Sequence, residues 1–213
     1  MSKHNLSVQH ITKIIKNKEL LHDVSLNLEG GNIYGFTGEN GSGKTMLFRV
    51  LSGLVKPTHG QVLLNGEDVH KAHSSKIGVI IENSSMWPDL TGIENLSYLG
   101  SIRSHISKEE VISTLQRVGL DPQNKLPIKK YSLGMKQRLL IAQAIMEKPE
   151  FIFLDEPTNA IDQEGVRLVH QIIQEEAKRG AVVLMASHIS QDISSLCREV
   201  YRMESGHCER LEV

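Results

Sequence analysis

The chain has 213 residues, long enough for one domain with an insertion and for a sizeable core without disulfide support. Its 24 Lys and Arg against 25 Asp and Glu give a net charge of −1, which argues against a general nucleic-acid binder, a class with a basic excess. Hydrophobic residues at 39% and charged residues at 23% fit a globular protein and exclude a disordered or collagen-like chain.

The start, Met1-Ser2-Lys3-His4-Asn5, leads into no apolar run, so no leader is expected. Leu6 and Val8, then Val24, Leu26 and Leu28, recur at period two and read as half-buried strands. Gly30-Gly31 turns the chain into a short apolar run, residues 32–37. Residues 62–64 followed by Asn65-Gly66 read as a strand entering a tight turn, and residues 76–81 as a buried strand. Between 84 and 130 the signals become helical. Ser107 and Glu110 stand at capping-box spacing, Val111, Leu115 and Val118 share one helix face, and Gly119 ends it. From 132 onward, helices near 134–147 and 164–179 alternate with apolar strands at 151–154 and 181–186, the order of βαβ units over a parallel sheet. The expected organisation is one domain over 1–213: an α/β core with a β-subdomain, residues 1–83 and 132–213, and a helical insertion, residues 84–131. The apolar runs fall far short of the ~20 residues that cross a bilayer, so any membrane role is expected to go through a partner. Cys197 and Cys208 lack metal-ligand spacing and read as reduced thiols of a cytosolic chain, with a single disulfide as the alternative. His4, His59, His73 and His207 read as surface residues.

Gly38-Glu39-Asn40-Gly41-Ser42-Gly43-Lys44-Thr45 matches GxxxxGK[ST]. It follows the apolar residues 33–36 and opens a helix in which Met46, Leu47, Val50, Leu51 and Leu54 repeat at helical spacing. Strand, loop and helix in that order is the context a phosphate-binding loop needs: glycines let backbone N–H groups converge on an anion, and the helix N-terminus adds positive potential. Lys44 would reach the β- and γ-phosphates, and the Thr45 hydroxyl would ligate Mg²⁺. Residues 151–154 are four apolar residues followed by Asp155-Glu156. A buried strand puts Asp155 at its carboxyl end, where open α/β sheets bind ligands, with a role on Mg²⁺ beside Thr45. Glu156 then fits a general base for the attacking water.

Four further segments extend this pattern. Tyr131-Ser132-Leu133-Gly134-Met135-Lys136-Gln137-Arg138 resembles the signature of ATP-binding cassette (ABC) proteins, in the form YSLGM. Asn159-Ala160-Ile161-Asp162 resembles the D-loop, Ser187-His188 the switch histidine, and Glu82-Asn83 falls where the family has its Q-loop glutamine. The resemblance runs from about residue 6 to about 209 and is to the nucleotide-binding subunits of ABC transporters. It implies a P-loop NTPase core of mainly parallel sheet with an N-terminal antiparallel β-subdomain and an inserted helical subdomain. It also implies ATP and Mg²⁺ as cofactors and two cassettes that sandwich two ATP molecules head to tail. The partner cassette would be a second copy or a related chain. In that arrangement Ser132, Gly134 and Asp162 of one chain would face the nucleotide held by the other, and His188 would position the γ-phosphate and water. A membrane-spanning permease subunit is the further partner implied, engaged around residues 82–100 with Trp87 and Pro88 as candidate contacts. The chain would then sit at the inner face of the cell membrane through that partner.

Two departures refine the expectation. Glu82 replaces the usual glutamine; a carboxylate there can still accept from a metal-bound water. Glu82 together with YSLGM resembles an exporter-like bacterial subgroup, hence a lean toward export of a peptide, antibiotic or drug. The aromatic that usually stacks on adenine is replaced by Ile14-Ile15. Apolar contact from Ile15 forgoes about 1 kcal/mol of stacking, and weak discrimination between ATP and GTP is expected. The chain ends at Val213 with no regulatory C-terminal domain expected. The alternative is a soluble ABC ATPase that acts in assembly. A GTPase or small-molecule kinase is disfavoured because Asn124-Lys125-Leu126-Pro127 lacks the Asp of a guanine motif and neither class explains residues 131–135. An inactive ATP-binding subunit is disfavoured by Lys44, Asp155, Glu156 and His188 standing together.

Overall fold

The computed structural model describes residues 4–71, 76–81, 86–103 and 106–211, with Arg103, Ser190 and Gln191 by backbone alone. Strands β1 (Asn5–Ile15) and β2 (Lys18–Glu29) form a hairpin whose two-residue turn, Lys16-Asn17, takes left-handed backbone angles, the geometry that matches strand twist. β1 also pairs antiparallel with β4 (His59–Leu64), which pairs with the short β5 (Glu67–Asp68). The alternating residues Leu6, Val8, Val24, Leu26 and Leu28 are all buried, as their period predicts.

The second sheet is laid out in the order β10–β9–β3–β8–β7–β6. Its strands are β3 (Asn32–Thr37), β6 (Ile77–Ile80), β7 (Phe151–Asp155), β8 (Val182–Ala186), β9 (Glu199–Glu204) and β10 (His207–Leu211). All neighbours are parallel except β9 and β10. β7 and β8 are buried along their whole length, so both faces need cover. Alternate residues supply it. Phe151, Phe153, Val182 and Leu184 face α1 (Lys44–Leu51) and the first sheet, and Ile152, Leu154, Val183 and Met185 face the remaining helices. These include α4 (Leu133–Ile145), α5 (Gln163–Lys178) and α6 (Ser190–Leu196). α4 lies so close on β6 that a Cβ at Gly78 would come within 2.0 Å of the Ala144 carbonyl.

Between β6 and β7 the chain forms α2 (Gly92–Arg103), α3 (Lys108–Arg117) and a one-turn 3-10 helix, Ile128–Lys130. Ser107 and Glu110 form the reciprocal capping box expected of them, and Gly119 takes φ +70 just past the helix. Thr91 and Glu94 make the same reciprocal bonds at the start of α2, a T-x-x-E signal legible in the sequence but not singled out. Hydrogen bonds from the Thr91 and Ser107 backbone N–H groups hold Glu94 and Glu110 below the usual carboxylate range. A depressed folded pKa means the contribution is fully present above the unfolded value, 4.5, and is lost as pH falls through the folded one. Amide protection in the first turns of α2 and α3 is therefore expected to fall below about pH 4.5. An E94Q/E110Q variant is expected to show no such step by hydrogen exchange.

Three features depart from the sequence reading. α1 stops at Leu51, Gly53 turns at φ +76, and Leu54 is 63% exposed instead of continuing the buried face. His4 is half-buried, its ring edge-on to Phe151 at 6.1 Å and its Nδ1 3.3 Å from Glu150. The C-terminal hairpin β9–β10 leaves little trace in the hydrophobic pattern, because β10 is polar and mostly exposed. Cys197 and Cys208 are free thiols whose burial pushes each pKa up to about 12, so both stay protonated and unreactive. Among the described residues no helix is long and apolar enough to cross a membrane.

Candidate nucleotide site

The strand order places the carboxyl ends of β3, β8 and β7 side by side, with Phe36 and Asp155 both in register with Ala186. Three segments therefore emerge together: the phosphate loop after β3, Asp155-Glu156 at the end of β7, and Ser187-His188 after β8. They open onto a cleft of about 1360 Å³ lined by Gly38–Gly41, Gly43–Thr45, Asp155, Glu156 and His188.

The loop from Gly38 to Gly43 is shaped by its glycines. Gly38, Gly41 and Gly43 have φ of +144, +82 and +112, and a Cβ at Gly38 would meet the Met203 carbonyl at 2.2 Å. Gly43 caps α1 with no side-chain hydrogen bond, so the first turn of α1 directs its N–H groups toward the cleft. Lys44 is buried and its Nζ donates to the carbonyls of Gly38 (2.7 Å) and Glu39 (3.0 Å), which stretches the side chain back across the loop. Ser42 Oγ is the buried side-chain polar atom that finds no hydrogen-bond partner among the described residues. Ser42 itself is outside the cleft lining, but a free helix N-terminus and a lysine ammonium on that lining are what an anionic phosphate chain would engage.

Thr45 Oγ1 donates to Asp155 Oδ2 at 2.6 Å, which brings a hydroxyl and a buried carboxylate to one place beside the loop. These hard oxygen donors suit Mg²⁺, which commonly takes one or two protein oxygens and the rest from phosphates and water. Glu156 lies next to them with a left-handed backbone, φ +51. Such a conformation costs on the order of 1–3 kcal/mol and needs anchors. Glu156 N–H donates to the Ala186 carbonyl (2.9 Å), and Gln137 Nε2 of α4 donates to the carbonyls of Glu156 and Pro157 (3.1 Å each). The Glu156 carboxylate in turn accepts from the His188 backbone N–H (3.1 Å) and contacts its Nδ1 (2.8 Å). A carboxylate there selects the tautomer with a proton on Nδ1. Gln137 belongs to the signature segment, but its position on α4 behind Glu156 was not read from the sequence.

The other predicted residues lie elsewhere. Ser132 caps α4 by accepting from Met135 N–H (3.1 Å) and is exposed, as is Leu133 at 70%. Gly134 packs against the D-loop turn, where a Cβ would stand 3.2 Å from the Ala160 carbonyl. Asp162 caps α5 by accepting from Gly165 N–H (2.9 Å). None of Ser132, Gly134 and Asp162 lines the cleft that holds Lys44. Ile15 ends β1 at 40% exposure and is also outside that lining, where β2 instead supplies Lys18, Glu19, Leu20 and His22. Glu82 lies outside the described residues, as does His73.

The fold and the site together define a P-loop nucleoside triphosphatase. A family profile described as ABC transporter matches residues 21–159. The chain is 46% identical over 209 residues to the ABC transporter ATP-binding protein YybJ of Bacillus subtilis (strain 168), covering 97% of this chain and 96% of that one. It is 38% identical over 200 residues to the bacitracin transport ATP-binding protein BcrA of Bacillus licheniformis, covering 92% of this chain and 65% of that one. It is 32% identical over 191 residues to the lantibiotic transport ATP-binding protein SrtF of Streptococcus pyogenes, covering 90% and 83%. Among solved structures, a dimeric bacterial ABC transporter cassette superposes with a TM-score of 0.87 at 23% identity, covering 98% of this chain and 99% of that one. The chain belongs to the ABC transporter family as an ATP-binding cassette, and it is an ATPase.

Proposed function

We propose that this cassette hydrolyses ATP with Mg²⁺ at the cleft between β3, β7 and β8 and drives a membrane-spanning permease that exports a peptide antibiotic or related compound. The observation that carries the reading is the convergence of Lys44, Thr45–Asp155 and Glu156–His188 on one cleft. Backbone N–H groups of residues 43–45 and the Lys44 ammonium would hold the β- and γ-phosphates. Thr45 and Asp155 would hold Mg²⁺, which when bound neutralises charge on the transferred phosphoryl group. Glu156 takes the proton of the attacking water as its oxygen bonds to phosphorus, and the bond to the β-phosphate oxygen breaks. His188, fixed by Glu156 through Nδ1, would offer Nε2 to the γ-phosphate.

Ser132 and Gly134 stand at the start of α4 on an exposed face, away from their own chain's cleft. That placement supports a composite site, in which the helix N-terminus of one cassette meets the nucleotide of another. The dimer of the structural relative supports the same reading. Export of peptide antibiotics is supported by the relatives named for bacitracin and lantibiotic transport. Deleting the gene in its host is expected to raise sensitivity to a bacitracin- or lantibiotic-type peptide, and the E156Q variant is expected not to restore resistance. Unchanged sensitivity across such peptides would contradict the assignment of cargo. Recovery only with soluble partners would favour the alternative, an ABC ATPase acting in assembly.

A further inference from the structure

We infer that Thr158 and Asp192 are a positioning pair that locks the segment after β8 onto the segment after β7 and so sets the Glu156–His188 couple; this rests on the reading of that couple as catalytic. Thr158 Oγ1 donates to Asp192 Oδ2 at 2.5 Å, and both residues are 3% exposed. The second carboxylate oxygen, Oδ1, meets His170 Nε2 of α5 at 3.0 Å. A carboxylate buried this deeply is costly unless its oxygens are satisfied, and a short hydroxyl–carboxylate bond is among the stronger kinds.

The position of this bond gives it a consequence beyond packing. Thr158 is two residues past Glu156, separated by Pro157, and Asp192 is four residues past His188. The Glu156–His188 contact and the Thr158–Asp192 bond therefore close a ring through two short backbone segments. Within it, Asn159 N–H donates to the Glu156 carbonyl (3.2 Å) and Asp192 N–H to the Ile189 carbonyl (3.1 Å). Ile189 N–H donates to Ser187 Oγ (3.0 Å). Gln137 secures the backbone of one side and His170 the carboxylate of the other. Removing the Thr158–Asp192 bond opens this ring: the segment carrying His188 keeps its local backbone bonds and the His170 contact but loses its Thr158 tie to the segment carrying Glu156. Reacting groups displaced by about 1 Å lose on the order of 10²-fold in rate. Neither residue is itself part of the cleft lining, so their contribution is to placement and not to nucleotide contact.

The test compares T158V, T158S, D192N and E156Q with the native protein. It measures ATP turnover with kcat and KM separated, binding of a non-hydrolysable ATP analogue, and thermal melting. T158V, which keeps the shape and deletes the hydroxyl, is expected to lower kcat about tenfold with KM and analogue binding within about twofold. T158S is expected to return kcat to within about twofold of native. D192N keeps an oxygen for Thr158 and can turn its amide to His170, so it is expected to lose less than T158V. An unchanged kcat in T158V overturns the proposal. So does an equal fall in T158V and T158S that merely follows lost melting temperature, or a D192N loss exceeding that of T158V. If E156Q keeps native turnover, the underlying reading of Glu156 fails and the proposal with it. An inactive E156Q beside a fully active T158V sinks the proposal alone.

Discussion

Exchanging Glu156 for glutamine is expected to reduce ATP turnover by about 10²–10⁴-fold, the range supplied by a positioned general base. Binding of ATP is expected to survive, because Lys44, the phosphate loop and Thr45–Asp155 do not depend on the Glu156 charge. The backbone of Glu156 is fixed by Ala186 and Gln137, so the amide should occupy the same place without accepting a proton. His188→Ala removes the 2.8 Å contact that orients the carboxylate and is expected to fall by a comparable factor. Steady-state phosphate release against a filter-binding measurement of nucleotide affinity separates the two effects. Native turnover in E156Q would remove Glu156 from the chemistry.

The largest effect on stability is expected at Glu176. This residue of α5 is 2% exposed, and its carboxylate takes Arg117 Nη1 of α3 at 2.5 Å and Arg179 at 2.6 and 3.0 Å. Arg117 also forks onto Glu175, which ties the helical insertion to the core by one guanidinium with two carboxylates. Burial works against the Arg117 charge, but its bonds to Glu176 and Glu175 outweigh that and push its pKa up. Breaking a fully buried pair from one side costs about 3–5 kcal/mol. Both guanidinium groups here are about one-third exposed and can rehydrate, so about 2–3 kcal/mol is expected for Glu176→Ala. In a chain of this size that corresponds to a drop in Tm of roughly 5–10 °C. Arg117→Met leaves Arg179 on Glu176 and should cost less. Equal Tm values for E176A and the native protein would show that this contact is structurally idle.

The features legible in the sequence are those carried by neighbouring residues. The phosphate loop is one contiguous segment: its glycines act through their own backbone, and Lys44 and Thr45 bring their side chains to the same loop. Four apolar residues ending in Asp155 describe a buried strand and the place where its end emerges. The Ser107–Glu110 cap and the alternating first strands are local in the same way. The approach of Glu156 to His188 spans two strands, and only resemblance to a family brought the two together in the sequence. Interactions between polar residues far apart in the chain left no pattern. Arg117 with Glu176 is one case. Asn95 is silent for a different reason: its partners, both Trp87 backbone groups and the Thr91 carbonyl, are near in the chain, but a lone buried asparagine carries no spacing signal. Leu54 shows the opposite failure: helical spacing continued past the point where Gly53 had already turned the chain.

The central claim, that this ATPase works on a membrane partner, is tested most directly by tagging the chain in its native host and solubilising the membranes in mild detergent. A multi-span membrane protein is expected in stoichiometric amount with the tagged cassette. Recovery from the soluble fraction alone, with cytosolic proteins or none, would contradict it.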